Sequence, residues 1–344
     1  MDWDQLDLNP RIIASVRRVK LKCVREALCV SGPDLQRLTG LSRSDVHQLQ
    51  TAAATACRRH PPTPAVLLQR GYSGLRLSVG CPVLDQLLRG GLPAGGVTEL
   101  SGESGAGKTQ LALQLCLSVQ YPAQHGGLDS GAVYICTEDQ FPVRRLDQLI
   151  RGQASLRRDV PAALISSRRF SDHVYVEHAA DLDSLSVCLS RRVPLLLARQ
   201  HVRLLVVDSV AALFRSEFQA SDWLERSQQL ISFSHTLHTL SLEFNTPVLC
   251  INQVTDVFSS DDSLGPVSGA VAPALGLVWA NQVMVRLMMR RLQETVARGD
   301  QSSILRRLEV VFAPHLSRDG RDAAVWREGV LGLDSANNTR TGVL

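Results

Sequence analysis

The sequence predicts an α/β fold, a core with a mostly parallel sheet preceded by a small helical domain. Three observations carry that reading. From Gly131 onward, short apolar strands alternate with helical stretches, which is the pattern of a parallel sheet covered on both faces. Residues 1–57 show apolar positions at helical spacing and no strand alternation. Between the two regions, Thr98 to Cys116 reads TELSGESGAGKTQLALQLC, a short strand, a glycine-rich loop and an amphipathic helix in succession. A chain of 344 residues suits one large α/β domain with a smaller companion. The expected division is a helical domain over 1–57, a linker over 58–76, the core over 77–334 and a frayed tail over 335–344.

Within the first domain, helices are expected at Pro10 to Val19, Cys23 to Cys29, Pro33 to Leu38 and Ser42 to Ala56, with Ser31 and Ser42 placed as N-caps. The segment LTGLS, Leu38 to Ser42, puts a glycine between two short helices, the pattern of a helix-hairpin-helix. Such a hairpin can offer backbone N–H groups to DNA phosphates, and Arg37 and Arg43 flank it. A helical packing domain that touches no nucleic acid fits the same residues.

Arg58 to Arg76, RRHPPTPAVLLQRGYSGLR, is rich in proline and glycine and reads as the linker. Pro82 to Leu88 is a short helix ahead of Gly90 and Gly91. The core strands expected are Val97 to Leu100, Ala132 to Cys136, His173 to Glu177, Arg203 to Val207 and Pro247 to Ile251. Helices near 143–153, 181–200 and 222–244 lie between them. Gln282 to Met289 and Leu305 to Phe312 read as an antiparallel hairpin at the sheet edge.

Charge and cysteine usage bound the setting. A formal charge of +4 permits nucleic acid as a partner without requiring it. The eight cysteines are scattered with no C-x-x-C pair, as expected of buried thiols in a reducing compartment. The acidic N-terminus has no apolar signal core, and no run reaches the length of a membrane span, so a nuclear or cytoplasmic location without membrane partners is expected.

The chemistry centres on the loop. Gly102, Gly107, Lys108 and Thr109 fill the template G-x-x-x-x-G-K-[ST], with Glu103, Ser104, Gly105 and Ala106 between. Small residues let backbone N–H groups curl around phosphate oxygens while the following helix aims its positive end at them. Lys108 would reach the β and γ phosphates of ATP, and the Thr109 hydroxyl would ligate Mg2+. A glycine-rich turn entering an ordinary helix could share this spacing. Against that, the chain has three lysines, Lys20, Lys22 and Lys108, and otherwise uses arginine for positive charge. The same scarcity excludes a guanine-nucleotide switch, since its N/T-K-x-D motif needs a lysine after Lys108.

Carboxylates and an amide at later strand ends complete the candidate site. RLLVVDS, 203–209, places Asp208 at the end of a parallel strand, where it would face the loop and hold the metal; an aspartate at an ordinary turn is the alternative. AVYICTED, 132–139, places Glu138 where it could orient an attacking water. Asn252 and Gln253 close a further strand, where a neutral amide can sense the γ-phosphate or simply be solvated.

Taken together, LSVGCPVLDQLLRGGLPAGGVTELSGESGAGKTQLALQL (77–115), VYICTEDQFPVRRL (133–146), LLVVDSVAALFR (204–215) and PVLCINQV (247–254) resemble the RecA-type strand-exchange recombinases of eukaryotes and their paralogues. The similarity spans nearly the whole chain. It implies a RecA-like P-loop ATPase core in homologous recombination repair of double-strand breaks, stalled forks and branched junctions. It implies weak DNA-dependent ATP hydrolysis, or else a non-catalytic adaptor that ATP stabilises. By position, Glu138 matches the water-activating glutamate, Asp208 the magnesium aspartate and Gln253 the γ-phosphate sensor. Arg145 matches an arginine that stacks near adenine, and Pro273 a proline that caps a nucleotide held by the neighbouring subunit. Arg215 begins the first of two DNA-facing loops, and Asp256 to Val271 occupies the second.

Two departures from the family pattern shape the expected partners. The second loop carries Asp256, Asp261 and Asp262 and no basic residue, so it should repel a phosphate backbone. In the linker, Tyr72-Ser73-Gly74-Leu75 stands where the recombinases present the phenylalanine and alanine that dock on the next protomer. Both argue against unaided strand exchange and long filaments. They point to a heteromeric complex with the C paralogue of the recombinase, acting with the main strand-exchange recombinase on single-stranded and branched DNA.

Overall fold

A computed structural model describes residues 3, 6, 8–19, 21, 24, 26–57, 74–256, 271–333 and 340–341. The chain divides into two compact units, Met1–Tyr72 and Ser73–Leu344. Most of the expected linker and tail and nearly all of the second loop lie outside the described residues.

The first unit is helical: α1 (Pro10–Arg18), α2 (Glu26–Cys29), α3 (Gly32–Thr39) and α4 (Arg43–Cys57). Ser31 caps α3 by accepting from the Asp34 N–H at 3.3 Å. Ser42 caps α4 reciprocally, its Oγ accepting from the Asp45 N–H at 3.1 Å while Asp45 accepts from the Ser42 N–H at 3.3 Å. Gly40 ends α3 at φ 68°, a left-handed conformation that a glycine adopts without strain, and so makes the tight turn of the hairpin. Trp3, Ile12, Val16, Leu35, Val46 and Leu49 form its core.

The second unit opens with Arg76–Leu77 paired antiparallel to Leu92–Pro93, so Arg76, expected as linker, belongs to a strand. The central sheet contains β1 (Val97–Gly102), β2 (Gly131–Cys136), β3 (Val174–His178), β4 (Val202–Asp208), β5 (Val248–Asn252), β6 (Val285–Arg298), β7 (Gln301–Phe312), β8 (Gly320–Val325) and β9 (Val330–Gly332). Their order is β9-β8-β7-β6-β1-β5-β4-β2-β3, with Arg340–Thr341 paired to β6. From β6 through β3 every neighbouring pair is parallel.

Period-two alternation explains why both faces are covered. On β5, Leu249 and Ile251 pack into one apolar cluster and Val248 and Cys250 into the other; on β4, Leu204 and Val206 oppose Leu205 and Val207 in the same way. Helix α5 (Lys108–Ser118) lies under the first face, and Trp279, Phe214 and Leu237 cover the second.

Two sequence expectations are corrected. Helix α5 is not amphipathic, because every residue from Leu111 to Ser118 is buried. The buried amide of Gln114 is satisfied on the side toward β9, where it donates to Val79 O and Val330 O and accepts from the Val330 N–H. The β6–β7 hairpin does not form the sheet edge, since β8 and β9 extend the sheet beyond it. It is also longer than expected, because its polar outer half covers a small separate core of Val296, Leu305, Ala324 and Trp326. Cys81, Cys116, Cys136, Cys188 and Cys250 are free and buried. Among the described residues, no helix is long and apolar enough to cross a membrane.

Candidate functional site

The parallel strands bring four loops to one end of the sheet. Ligands of open α/β sheets bind at such carboxyl ends. Strand β1 runs into the loop 102–108, whose conformation only glycine tolerates at two points. A Cβ on Gly102 would sit 2.2 Å from Met289 O, and Gly107 takes φ 107° as it caps α5. The first-turn N–H groups of α5 have no acceptor within the helix, so the loop presents them outward. Lys108 Nζ donates to Gly102 O at 2.7 Å and Glu103 O at 2.8 Å. Burial lowers its pKa, opposed by the charges of Asp208, Glu103 and Glu138.

Asp208 ends β4 and faces this loop. Its Oδ2 accepts from Thr109 Oγ1 at 2.8 Å and from the Tyr134 hydroxyl. Burial pushes the carboxyl pKa up, although both hydroxyl donors and Lys108 pull it down. A hard cation placed between a hydroxyl and a carboxylate is the oxygen set that magnesium prefers.

Glu138 follows β2. Its two oxygens accept from Gln253 Nε2 at 3.0 and 3.1 Å, and Ser209 Oγ donates to Oε2 at 3.0 Å. Gln253 in turn accepts from Arg215 Nη1 at 2.9 Å. One hydrogen-bonded chain therefore runs Ser209, Glu138, Gln253, Arg215. A cleft of about 530 Å³ is lined by Glu103, Lys108, Thr109, Glu138, Asp208 and Gln253, among others.

A second cavity of about 620 Å³ lies on the other side of the loop and shares Gly105, Lys108 and Thr109 with the first. Arg145 lines it, held by Gln110 Oε1 at 2.5 Å, Trp326 O at 2.7 Å and Arg327 O at 3.0 Å. Pro273 lines neither cleft. It sits opposite Val254 in the ribbon Val254–Asp256/Val271–Pro273, at the foot of the second loop. Arg37 closes α3 in an ion pair with Asp34, and Arg43 begins α4 with its side chain exposed; both belong to the first unit.

Sequence reasoning missed several participants. Tyr134 shares a strand face with Cys136 two residues on, and that alternation was the available signal. Glu99 is fully buried within β1 and accepts from Asn252 Nδ2 at 2.6 Å, Trp279 Nε1 at 2.9 Å and Arg286 Nε at 2.7 Å. Asn252 Oδ1 accepts from the Gln253 N–H at 2.8 Å, so this buried network fixes the backbone that carries Gln253. A carboxylate in the middle of an expected core strand was its signal.

The sheet, the loop and the carboxylates gathered at its mouth define a RecA-like α/β protein of the phosphate-loop class. Residues 71–330 match the family described as Rad51, and residues 3–57 match the XRCC3/RpoA-like helix-hairpin-helix domain. The chain belongs to the Rad51 family, and membership implies nucleotide binding. It is similar to the DNA repair protein XRCC3 of Mus musculus, 52% identical with 97% of this chain and 98% of that protein covered. It is 35% identical to the DNA repair protein XRCC3 homolog of Arabidopsis thaliana, over 79% and 98% of the two chains. It is 32% identical to the DNA repair and recombination protein RadA of Aeropyrum pernix, over 84% and 86%.

Proposed function

We propose that this chain is an ATP-binding, slowly hydrolysing recombinase paralogue of DNA repair, working within a heteromeric complex rather than as a filament of its own. The single observation that carries the reading is the convergence of Lys108, Thr109 and Asp208 on one glycine-rich loop. Lys108 and the first-turn N–H groups of α5 bind the phosphates, and Thr109 and Asp208 hold Mg2+. A magnesium ion held by those two residues would supply charge neutralisation for the phosphates.

Glu138 is the group that orients a water, and its position is set from two sides, by the Gln253 amide and the Ser209 hydroxyl. Proton transfer to a carboxylate so placed supplies about 10²–10⁴-fold in rate. Because Gln253 also touches Arg215, a change at the γ-phosphate side of Gln253 would reach an arginine aimed at DNA. Arg37 and Arg43 on the helical hairpin supply further phosphate contacts. Arg145 flanks the base, and Pro273 faces the nucleotide of an adjoining subunit. The acidic composition of the second loop supports a division of labour with the C paralogue and the main recombinase in the nucleus.

A second reading, an adaptor in which ATP is a structural ligand, draws on the same geometry. Both oxygens of Glu138 are occupied by Gln253, which leaves the carboxylate less available to a water. Repair in cells and ATP turnover by the purified complex for Lys108→Ala and Glu138→Gln separate the two. The enzymatic reading expects loss of turnover and of repair in both variants; survival of repair and assembly in both would overturn it.

A further inference from the structure

The antiparallel pair β6–β7 sets four arginines face to face, Arg290 opposite Arg307 and Arg291 opposite Arg306. Like charges directly opposite across a ladder repel. Successive side chains leave opposite faces, so the two rungs are resolved separately. On one face, Arg290 and Arg307 share Glu309 at 2.9 and 3.4 Å, and Arg307 also reaches Asp322 at 2.8 Å. On the other, neither Arg291 nor Arg306 has an acidic partner among the described residues. The Arg306 guanidinium donates only to neutral oxygens, Ser303 Oγ at 3.1 Å, Ile304 O and Gly105 O at 3.4 Å. Its Nε is buried without an acceptor among the described residues. Burial and the neighbouring Arg291 both lower its pKa, the mark of a cation lacking compensation.

This uncompensated rung lies against the phosphate loop. Arg291 Nη1 is 3.8 Å from where a Cβ of Gly105 would stand, and Arg306 Nε is 3.4 Å from that of Gly107. Arg306 also lines the 620 Å³ cavity together with Lys108, Thr109 and Arg145. The acids nearest the hairpin tip are already engaged. Asp300 pairs with Arg327 at 2.7 Å, and Glu328 accepts from Arg298 at 2.6 Å and Gln301 at 3.2 Å. Those contacts, with the Arg327 N–H donating to Gln301 Oε1 at 2.7 Å, pin the hairpin over the cavity.

We propose that Arg306, reinforced by Arg291, is a second phosphate-binding residue, gripping a nucleoside di- or triphosphate from the hairpin side of the loop while Lys108 grips it from within. The inference rests on the nucleotide-binding reading of the same loop and adds to it a cation supplied by this chain itself. A guanidinium anchored on β7 needs only to exchange its weak contact with Gly105 O for a phosphate oxygen, and charge-assisted hydrogen bonds are the stronger ones.

The test is equilibrium binding of ATP, ADP and adenosine to the full-length protein, with Arg306→Ala, Arg306→Lys and Lys108→Ala beside the wild type. Arg306→Ala is expected to lose about tenfold or more in affinity for ATP and ADP, with adenosine unchanged. Arg306→Lys recovers part of the loss, and nucleotide-free melting is not lowered, because the like-charge rung is relieved. Wild-type ATP affinity in Arg306→Ala beside its loss in Lys108→Ala would overturn the proposal and spare the nucleotide site. An equal loss for adenosine would assign Arg306 a merely structural role and overturn it too. Absence of ATP binding by the wild type would remove both.

Discussion

Thr109 Oγ1 donates to Asp208 Oδ2 at 2.8 Å, although 99 positions separate them in the chain. Strand β5 lies between β1 and β4, so the contact spans two strand spacings and exists only because both strands run parallel into the same mouth. Burial raises the Asp208 carboxyl pKa, so the ionised group strains the nucleotide-free fold. Asp208→Asn keeps the acceptor for Tyr134 and Thr109 while removing the buried charge. Its melting temperature without nucleotide is expected to equal or exceed that of the wild type; a large drop in a thermal melt would contradict this.

Glu138→Gln preserves the shape of the contact with Ser209 and removes the base. Phosphate release with single-stranded DNA present is expected to fall about 10²–10⁴-fold. ATP affinity should stay within a few-fold in a parallel binding assay. A rate equal to wild type would place the base elsewhere.

The buried Glu99 tests the scaffold behind Gln253. Arg286 is its only charged partner among the described residues, at 2.7 Å, and breaking a buried pair from one side costs about 3–5 kcal/mol. Arg286→Ala should show that loss in denaturant unfolding. The double variant with Glu99→Gln should recover much of it, and an additive result would show that the two residues are not coupled.

His315 confers a pH dependence. Its Nε2 lies 3.2 Å from Arg76 Nη1, and burial, then the charges of Arg76 and Arg89, hold its imidazole below the usual 6.5. The unfolded chain therefore takes up the proton first as pH falls. The stability contributed by neutral His315 is intact above about pH 6.5 and is lost progressively below it. His315→Gln should melt with a shallower decline than wild type from about pH 7 to 5; parallel declines would show that His315 is not the group responsible.

Much of this architecture is legible in the residues. The apolar run LLVVD announces β4 with its terminal carboxylate, and the octet ending in Lys108 and Thr109 announces the loop, because each depends on local sequence alone. The hairpin runs further than its alternation shows, and is not the edge, for a physical reason. Residues 290–304, RRLQETVARGDQSSI, are mostly polar, so the alternation that marks a half-buried strand fades there, and β9 has only three residues. Arg157 illustrates the same limit. An arginine beside a second arginine gives no local sign of burial, yet it is buried beside Tyr121 with its charge met by Asp159. The Glu99 network and the Arg291–Arg306 rung arise from strand register, which no window of sequence contains.

The most direct measurement is a calorimetric titration of ATP into the full-length protein with Mg2+ or with EDTA, for wild type and Asp208→Asn. Mg2+ is expected to tighten binding to the wild type by about tenfold or more, and Asp208→Asn to abolish this gain while still binding ATP weakly. Equal affinities for the wild type with and without Mg2+, or an undiminished gain in Asp208→Asn, would contradict it.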